Sequence, residues 1–180
     1  MNAVEIFQNE LSNWSMENQS NTVSEEIFQI DKFSVWLYLT HKEGQKDLCQ
    51  YSIVPSSTTC SSLEQETRKK TIEAIQDVFP QKHVQCEERP DLETYKANLR
   101  HFTDHLSYGN HTFNACEYQV TLTVISIDPN PMLHAHISPF YQGSFGHGKN
   151  GARDFVLEEI QEILKSTFPK EYCFLSISTS

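Results

Sequence analysis

The chain has 180 residues, enough for one domain or for two small halves that share a core. Apolar residues make up 38% and charged residues 21%, ordinary for a water-soluble globular protein. A formal net charge of −10 works against binding to phosphate backbones and anionic membranes, so neither nucleic acid nor membrane is an expected partner.

Val4, Phe7, Leu11 and Trp14 are spaced three, four and three apart and predict a first helix with one apolar face. The polar run Glu17–Thr22 reads as a linker. Phe33–Leu39, rich in β-branched and aromatic residues, predicts a strand. A turn at Lys42-Glu43-Gly44-Gln45 leads into its partner, Leu48–Val54. Ile72, Ile75, Val78 and Phe79 form the stripe of a helix stopped by Pro80, and His83–Cys86 is a candidate short strand. Arg68-Lys69-Lys70, the clearest basic run, reads as a solvated face of that helix.

The same order then returns. Asp91 is placed to cap a helix carrying Leu92, Tyr95, Leu99 and Phe102. Tyr118–Ile127 alternates as a strand, Asp128-Pro129-Asn130-Pro131 breaks the chain, and Leu133–Ser138 is the partner strand. Phe155 or Val156 with Ile160, Ile163 and Leu164 line a closing helix stopped by Pro169, and Tyr172–Ile177 is a last candidate strand. Val35 and Leu37 recur as Val120 and Leu122, Leu48 as Leu133, and Glu73–Phe79 as Glu158–Leu164, all at a constant offset of 85. The expectation is therefore α+β: one domain of two repeats, 1–89 and 90–180, each helix-strand-strand-helix with a possible further strand. Short links favour a mainly antiparallel sheet covered by helices. The two repeats can share that sheet within one chain, or a homodimer can complete it.

Cys49, Cys60, Cys86, Cys116 and Cys173 form no CxxC pair and are odd in number, which suits a reducing compartment. Met1–Trp14 lacks a basic start and a continuous apolar core, so a cytoplasmic location is expected. On that expectation the N-x-S/T sequons at Asn13, Asn18 and Asn110 are chance.

The repeats differ most in histidine and glycine. His101 and His105 stand one turn apart on a helix, and His134 and His136 two apart on a strand, so each pair shares a face. Two imidazole pairs suit zinc or iron, with Asp104 and Asp128 as nearby carboxylates, and a single histidine suits haem. Against this, histidines at helix flanks and strand ends are usually solvated, and no HExxH motif is present. At an offset of 85 the first-repeat counterparts of His134 and His136 are Cys49 and Tyr51.

Gly143-Ser144-Phe145-Gly146-His147-Gly148-Lys149-Asn150-Gly151 holds four of the six glycines ahead of the closing helix. Backbone N–H groups of Gly146 and Gly148, with Lys149 and Arg153, form a candidate anion- or substrate-binding loop, and Tyr141 a candidate pocket wall. Asn150 stands where a Walker A loop needs Ser or Thr, so it reads as a helix cap rather than part of a nucleotide site. Ser138 and Ser144 lack a Gly-x-Ser-x-Gly elbow.

From Leu92 to Leu164 the order helix, strand, histidine-bearing connection, strand, loop and closing helix is similar to the YqcI/YcgG family of haem-dependent N-hydroxylases. The resemblance implies haem as a cofactor. The chain departs from the family in lacking an arginine-rich segment around its histidine. Two functions follow. The first is an enzyme on a small anionic molecule, possible with metal or haem, using His134 and His136 as ligands or general bases. The second is an acidic, non-catalytic protein-binding module of chaperone, immunity or adaptor type.

Overall fold

The structure, a computed structural model, describes residues 1–55, 62–141 and 153–180. Its chain divides into two compact units, Met1–Glu88 and Arg89–Ser180. The first runs α1 (Ala3–Glu17), β1 (Val23–Ile30), β2 (Phe33–Thr40), β3 (Asp47–Pro55), α2 (Ser62–Val78) and β4 (Val84–Glu88). The second repeats that order as α3 (Leu92–Asp104), β5 (Gly109–Ala115), β6 (Tyr118–Ser126), β7 (Met132–Pro139), α4 (Asp154–Thr167) and β8 (Phe174–Thr179). The fold is α+β, with two four-stranded sheets ordered β1-β2-β3-β4 and β5-β6-β7-β8. The shared order suggests the internal duplication.

The expected antiparallel pairing holds in part, and two features refine it. Each sheet is mixed: the first three strands pair antiparallel, and the last joins β3 or β7 in parallel. The reason is α2 or α4, a crossover long enough to return the chain to the same end of the sheet. Each unit also has a strand that the sequence hid. In β1, Glu25-Glu26 interrupts the apolar pattern, and β5 (GNHTFNA) has little strand propensity. Both are edge strands held by pairing with β2 or β6. Charged and polar side chains on an edge also discourage pairing with another chain.

The core of the first unit lies between one sheet face and its helices. Phe7, Leu11 and Trp14 of α1 and Ala74 and Ile75 of α2, with Phe79 just beyond it, pack on Phe33, Val35, Leu37, Leu39, Cys49, Tyr51 and Ile53. The Phe28 ring meets Phe7 and Trp14 edge-on, at centroid distances of 5.4 and 5.8 Å. Each such contact contributes roughly 0.5–1.5 kcal/mol beyond burial. β2 is buried on both faces at Ser34, Val35, Trp36 and Leu37, whereas β6 alternates buried and half-buried from Tyr118 to Val124. Asn2 and Asp91 cap α1 and α3 by accepting the backbone N–H of Glu5 and Thr94.

Equivalent positions do not keep one offset. Ile30 pairs with Phe33 and Ala115 with Tyr118, an offset of 85. The hairpin turns match too, with Asp31 at φ 50° and Cys116 at φ 52°. The β6–β7 connection then changes the frame, because a bulge between Val124 and Ser126 adds one residue and the turn that follows is shorter than that between β2 and β3. Leu39 pairs with Cys49 but Val124 with Leu133, so Leu133 corresponds to Cys49 rather than Leu48, an offset of 84. After the crossover helices the offset is 89: Phe79 N–H donates to Ile75 O, and Phe168 N–H to Leu164 O, both at 2.9 Å. Pro80 and Pro169 then each accept two backbone N–H groups, from His83 and Val84 and from Tyr172 and Cys173.

Candidate functional site

His134 and His136 stand on β7 between the buried Leu133, Ala135 and Ile137, so they face away from the core. In the first unit the positions paired in the same way are Gln50 and Ser52, not Cys49 and Tyr51. A slip of one residue moves a side chain to the other face of a sheet. The two imidazoles meet the neighbouring strand in register, because His134 pairs with Ser176 and His136 with Ser178. His134 Nδ1 lies 2.7 Å from Ser176 Oγ, and His134 Nε2 lies 3.0 Å from Ser178 Oγ. Ser178 Oγ is also 2.8 Å from His136 Nδ1. Ser178 has one hydroxyl proton, so with neutral imidazoles it donates to one ring and accepts from the other.

His101 and His105 are exposed, with ring centroids 5.2 Å apart. They belong to the opposite side of the sheet. Phe102, next to His101 on α3, packs on His111 at 4.6 Å and on Phe113 at 5.4 Å. These residues pair with Leu122 and Val120, whose own partners on β7 are Ala135 and Ile137. The sheet thus separates the two histidine pairs, and a four-histidine centre does not form. No group of three or more His, Cys, Asp or Glu side chains gathers as a metal site among the described residues.

Gly146, Gly148, Lys149 and Asn150 lie outside the described residues. The N-cap of α4 is Arg153, not the expected Asn150, and it makes no side-chain cap bond. Arg153 is 5% exposed, and its guanidinium is taken up by the carboxylate of Glu117, which is 1% exposed. Arg153 Nε donates to Glu117 Oε2 at 2.6 Å and Nη2 to Oε1 at 2.8 Å, a bidentate pair. Its backbone N–H adds a third bond to Oε2 at 3.0 Å, and Tyr118 Oη donates to Arg153 O at 2.9 Å. Expected to hold a substrate's charge, Arg153 instead anchors the start of α4 to the β5–β6 turn.

Arg89 reinforces the same turn. Its Nε donates to Cys116 O and its Nη2 to Tyr118 O at 3.1 Å, while its guanidinium lies 4.1 Å from the Phe140 ring centroid. Burial pushes the Cys116 thiol up to about 12, so it is a core thiol rather than a nucleophile. Tyr141 is half-buried beside Phe140 in sequence and lines neither of the two clefts described below.

Sequence reading missed Glu117, Ser176 and Ser178. The alternation of Ser176 and Ser178 with Leu175 and Ile177 was visible, but the parallel register with β7 was not. Two clefts occupy equivalent places, each beside the last strand and the residues following the second helix. That of the first unit is about 510 Å³ and includes Phe79, Gln81 and Cys86; that of the second is about 490 Å³ and includes Phe168, Lys170 and Leu175. No helix among the described residues is long and apolar enough to cross a membrane.

No protein-family model matches the chain, and neither a curated protein nor a solved structure matches it. The function must therefore be argued from the geometry.

Proposed function

We propose that the chain is a non-catalytic binding module that holds a protein partner against the outer face of its second sheet. One observation carries this reading: that face has no formal charge, although the chain has 24 acidic and 14 basic residues. By strand alternation it presents Asn110, Thr112 and Asn114 of β5 and Gln119, Thr121, Thr123 and Ile125 of β6. Met132, His134, His136 and Ser138 of β7 and Phe174, Ser176 and Ser178 of β8 complete it. On the first sheet the corresponding face includes Glu25 and Glu87. Centres of protein interfaces are depleted in charge and enriched in methionine and aromatic residues. Short Ser, Thr and Asn side chains also lose little rotamer freedom on binding. One end carries Ile125, Met132 and Phe174, which are 56%, 43% and 66% exposed. The chain's net charge of −10 favours encounter with a basic partner.

A photo-crosslinking side chain at Thr123 tests this in cells. A discrete crosslinked protein is expected from Thr123, lost when Thr121→Lys is added, and absent from the exposed control position Glu158. The same species from both positions, or none from Thr123, rejects the reading.

The enzyme reading stands second, on the contacts of Ser178 Oγ with His134 Nε2 and His136 Nδ1 at 3.0 and 2.8 Å. A general base makes such a contact with the hydroxyl that it deprotonates. In this reading Ser178 is labelled by a fluorophosphonate probe and His134→Ala abolishes the labelling. An unlabelled Ser178 in the native protein removes it.

A further inference from the structure

Cys49 and Cys86 are 37 positions apart in sequence but directly paired across the parallel strands β3 and β4. Both side chains lie on the core face: Cys49 is fully buried among core residues, and Cys86 is half-buried against them. Adjacent strands are about 4.8 Å apart, inside the roughly 4.4–6.8 Å range of Cα separations that a disulfide bridges. Cys86 also helps to line the 510 Å³ cleft, together with Lys46, Gln76, Phe79, Gln81 and Gln85. Small-molecule clefts are typically about 300–1,000 Å³. The equivalent pair in the second unit is Leu133 with Leu175, also beside a cleft. Each unit thus has its own cleft at this place, and they differ in having a dithiol or two leucines there.

We propose that Cys49 and Cys86 are a redox-active dithiol, oxidised to a disulfide by exchange with a small disulfide of the glutathione class that enters this cleft. Cys86 is the attacking residue, because it reaches the cleft. Its thiolate attacks one sulfur of the small disulfide and forms a bond to it. The original S–S bond breaks, and one thiol leaves with the proton that Cys86 released. Cys49 then loses its proton and attacks Cys86 Sγ, and the mixed disulfide breaks. The second thiol leaves with that proton. Overall, two protein thiols lose two electrons, and one small disulfide is reduced to two thiols.

The local chemistry supports this division of roles. The neighbouring Cys49 thiol holds the Cys86 thiol below its ordinary value, against the opposing effect of burial, and Cys86 Sγ–H donates to Phe79 O at 3.7 Å. The Cys86 thiol and deep burial in turn raise Cys49. Lys46, whose Nζ donates to Gln81 O at 3.0 Å, adds positive charge to the lining, which suits the carboxylates of a glutathione-class molecule.

The full chain, incubated with oxidised glutathione, alkylated and mapped by mass spectrometry, provides the test. Two of the five thiols are expected to disappear into one peptide linking Cys49 to Cys86, and dithiothreitol should restore both. Cys86→Ser should leave Cys49 unreacted, while Cys49→Ala should trap glutathione on Cys86. If Cys49→Ala fails to fold, the native chain and Cys86→Ser still decide. Native protein with all thiols intact, with glutathione retained on Cys86, or with a linkage to another cysteine overturns the proposal.

Discussion

Glu117→Ala should destabilise the protein by about 3–5 kcal/mol, the usual cost of breaking a buried ion pair by removing one partner. Glu117 is 1% exposed, and its carboxylate accepts two guanidinium bonds and one backbone bond from Arg153. Truncation would leave the guanidinium in a low-dielectric site without that carboxylate, and would free the residue that starts α4. Urea unfolding of the full chain measures the loss. A drop below about 1 kcal/mol, the value of a surface pair, would show that the pair does not hold this junction. Replacing both residues, as Glu117→Leu with Arg153→Met, should recover part of the loss, because it removes the unpaired buried charge while the backbone N–H of residue 153 still lacks its acceptor.

That pair also marks where sequence reading ended. Arg153 was conspicuous because it followed a glycine-rich segment, and its positive charge suggested an anion site. Its partner is 36 positions away in a two-residue turn between one evident strand and one hidden strand. Without β5 there was no hairpin, and without the hairpin Glu117 had no position. The central strands β2 and β6 were legible because their β-branched and aromatic residues are set by burial, and the helices because their stripes are. Of the four edge strands, β4 and β8 were legible, whereas the acidic pair in β1 and the Gly, Asn and Thr residues of β5 masked the alternation.

The candidate sites follow the same rule. The shared face of His134 and His136 was readable from spacing alone, since alternation is a local property. Their contacts with Ser176 and Ser178 depend on a parallel register set across a crossover helix. The separation of the two histidine pairs depends on which sheet face α3 covers. Cys49 and Cys86 are likewise joined only by the register of β3 and β4. Local periodicity fixes the face on which a residue lies, while long-range pairing decides what it meets there.

The shared element order of the two units gives the second large effect. At an offset of 85, Ala74 aligns with Glu159, and a glutamate would be acceptable at both positions. In the fold the helix frame is 89, so Ala74 corresponds to Ile163 and Ile75 to Leu164. The two frames differ by four residues, close to one helical turn, so both preserve the apolar stripe and periodicity alone does not separate them. Their consequences differ sharply. Ala74 is 3% exposed and packs in the first unit's core, whereas Glu159 faces solvent. Ala74→Glu should therefore cost about 3 kcal/mol or more, by forcing a carboxylate among apolar side chains or by displacing α2. Glu159→Ala should change stability by no more than about 0.5 kcal/mol. Urea denaturation of both variants reads the contrast directly. Similar small effects would restore the gapless frame. A large loss confined to Ala74→Glu would place the insertion between the two units ahead of their second helices, where the duplicated strands stop matching.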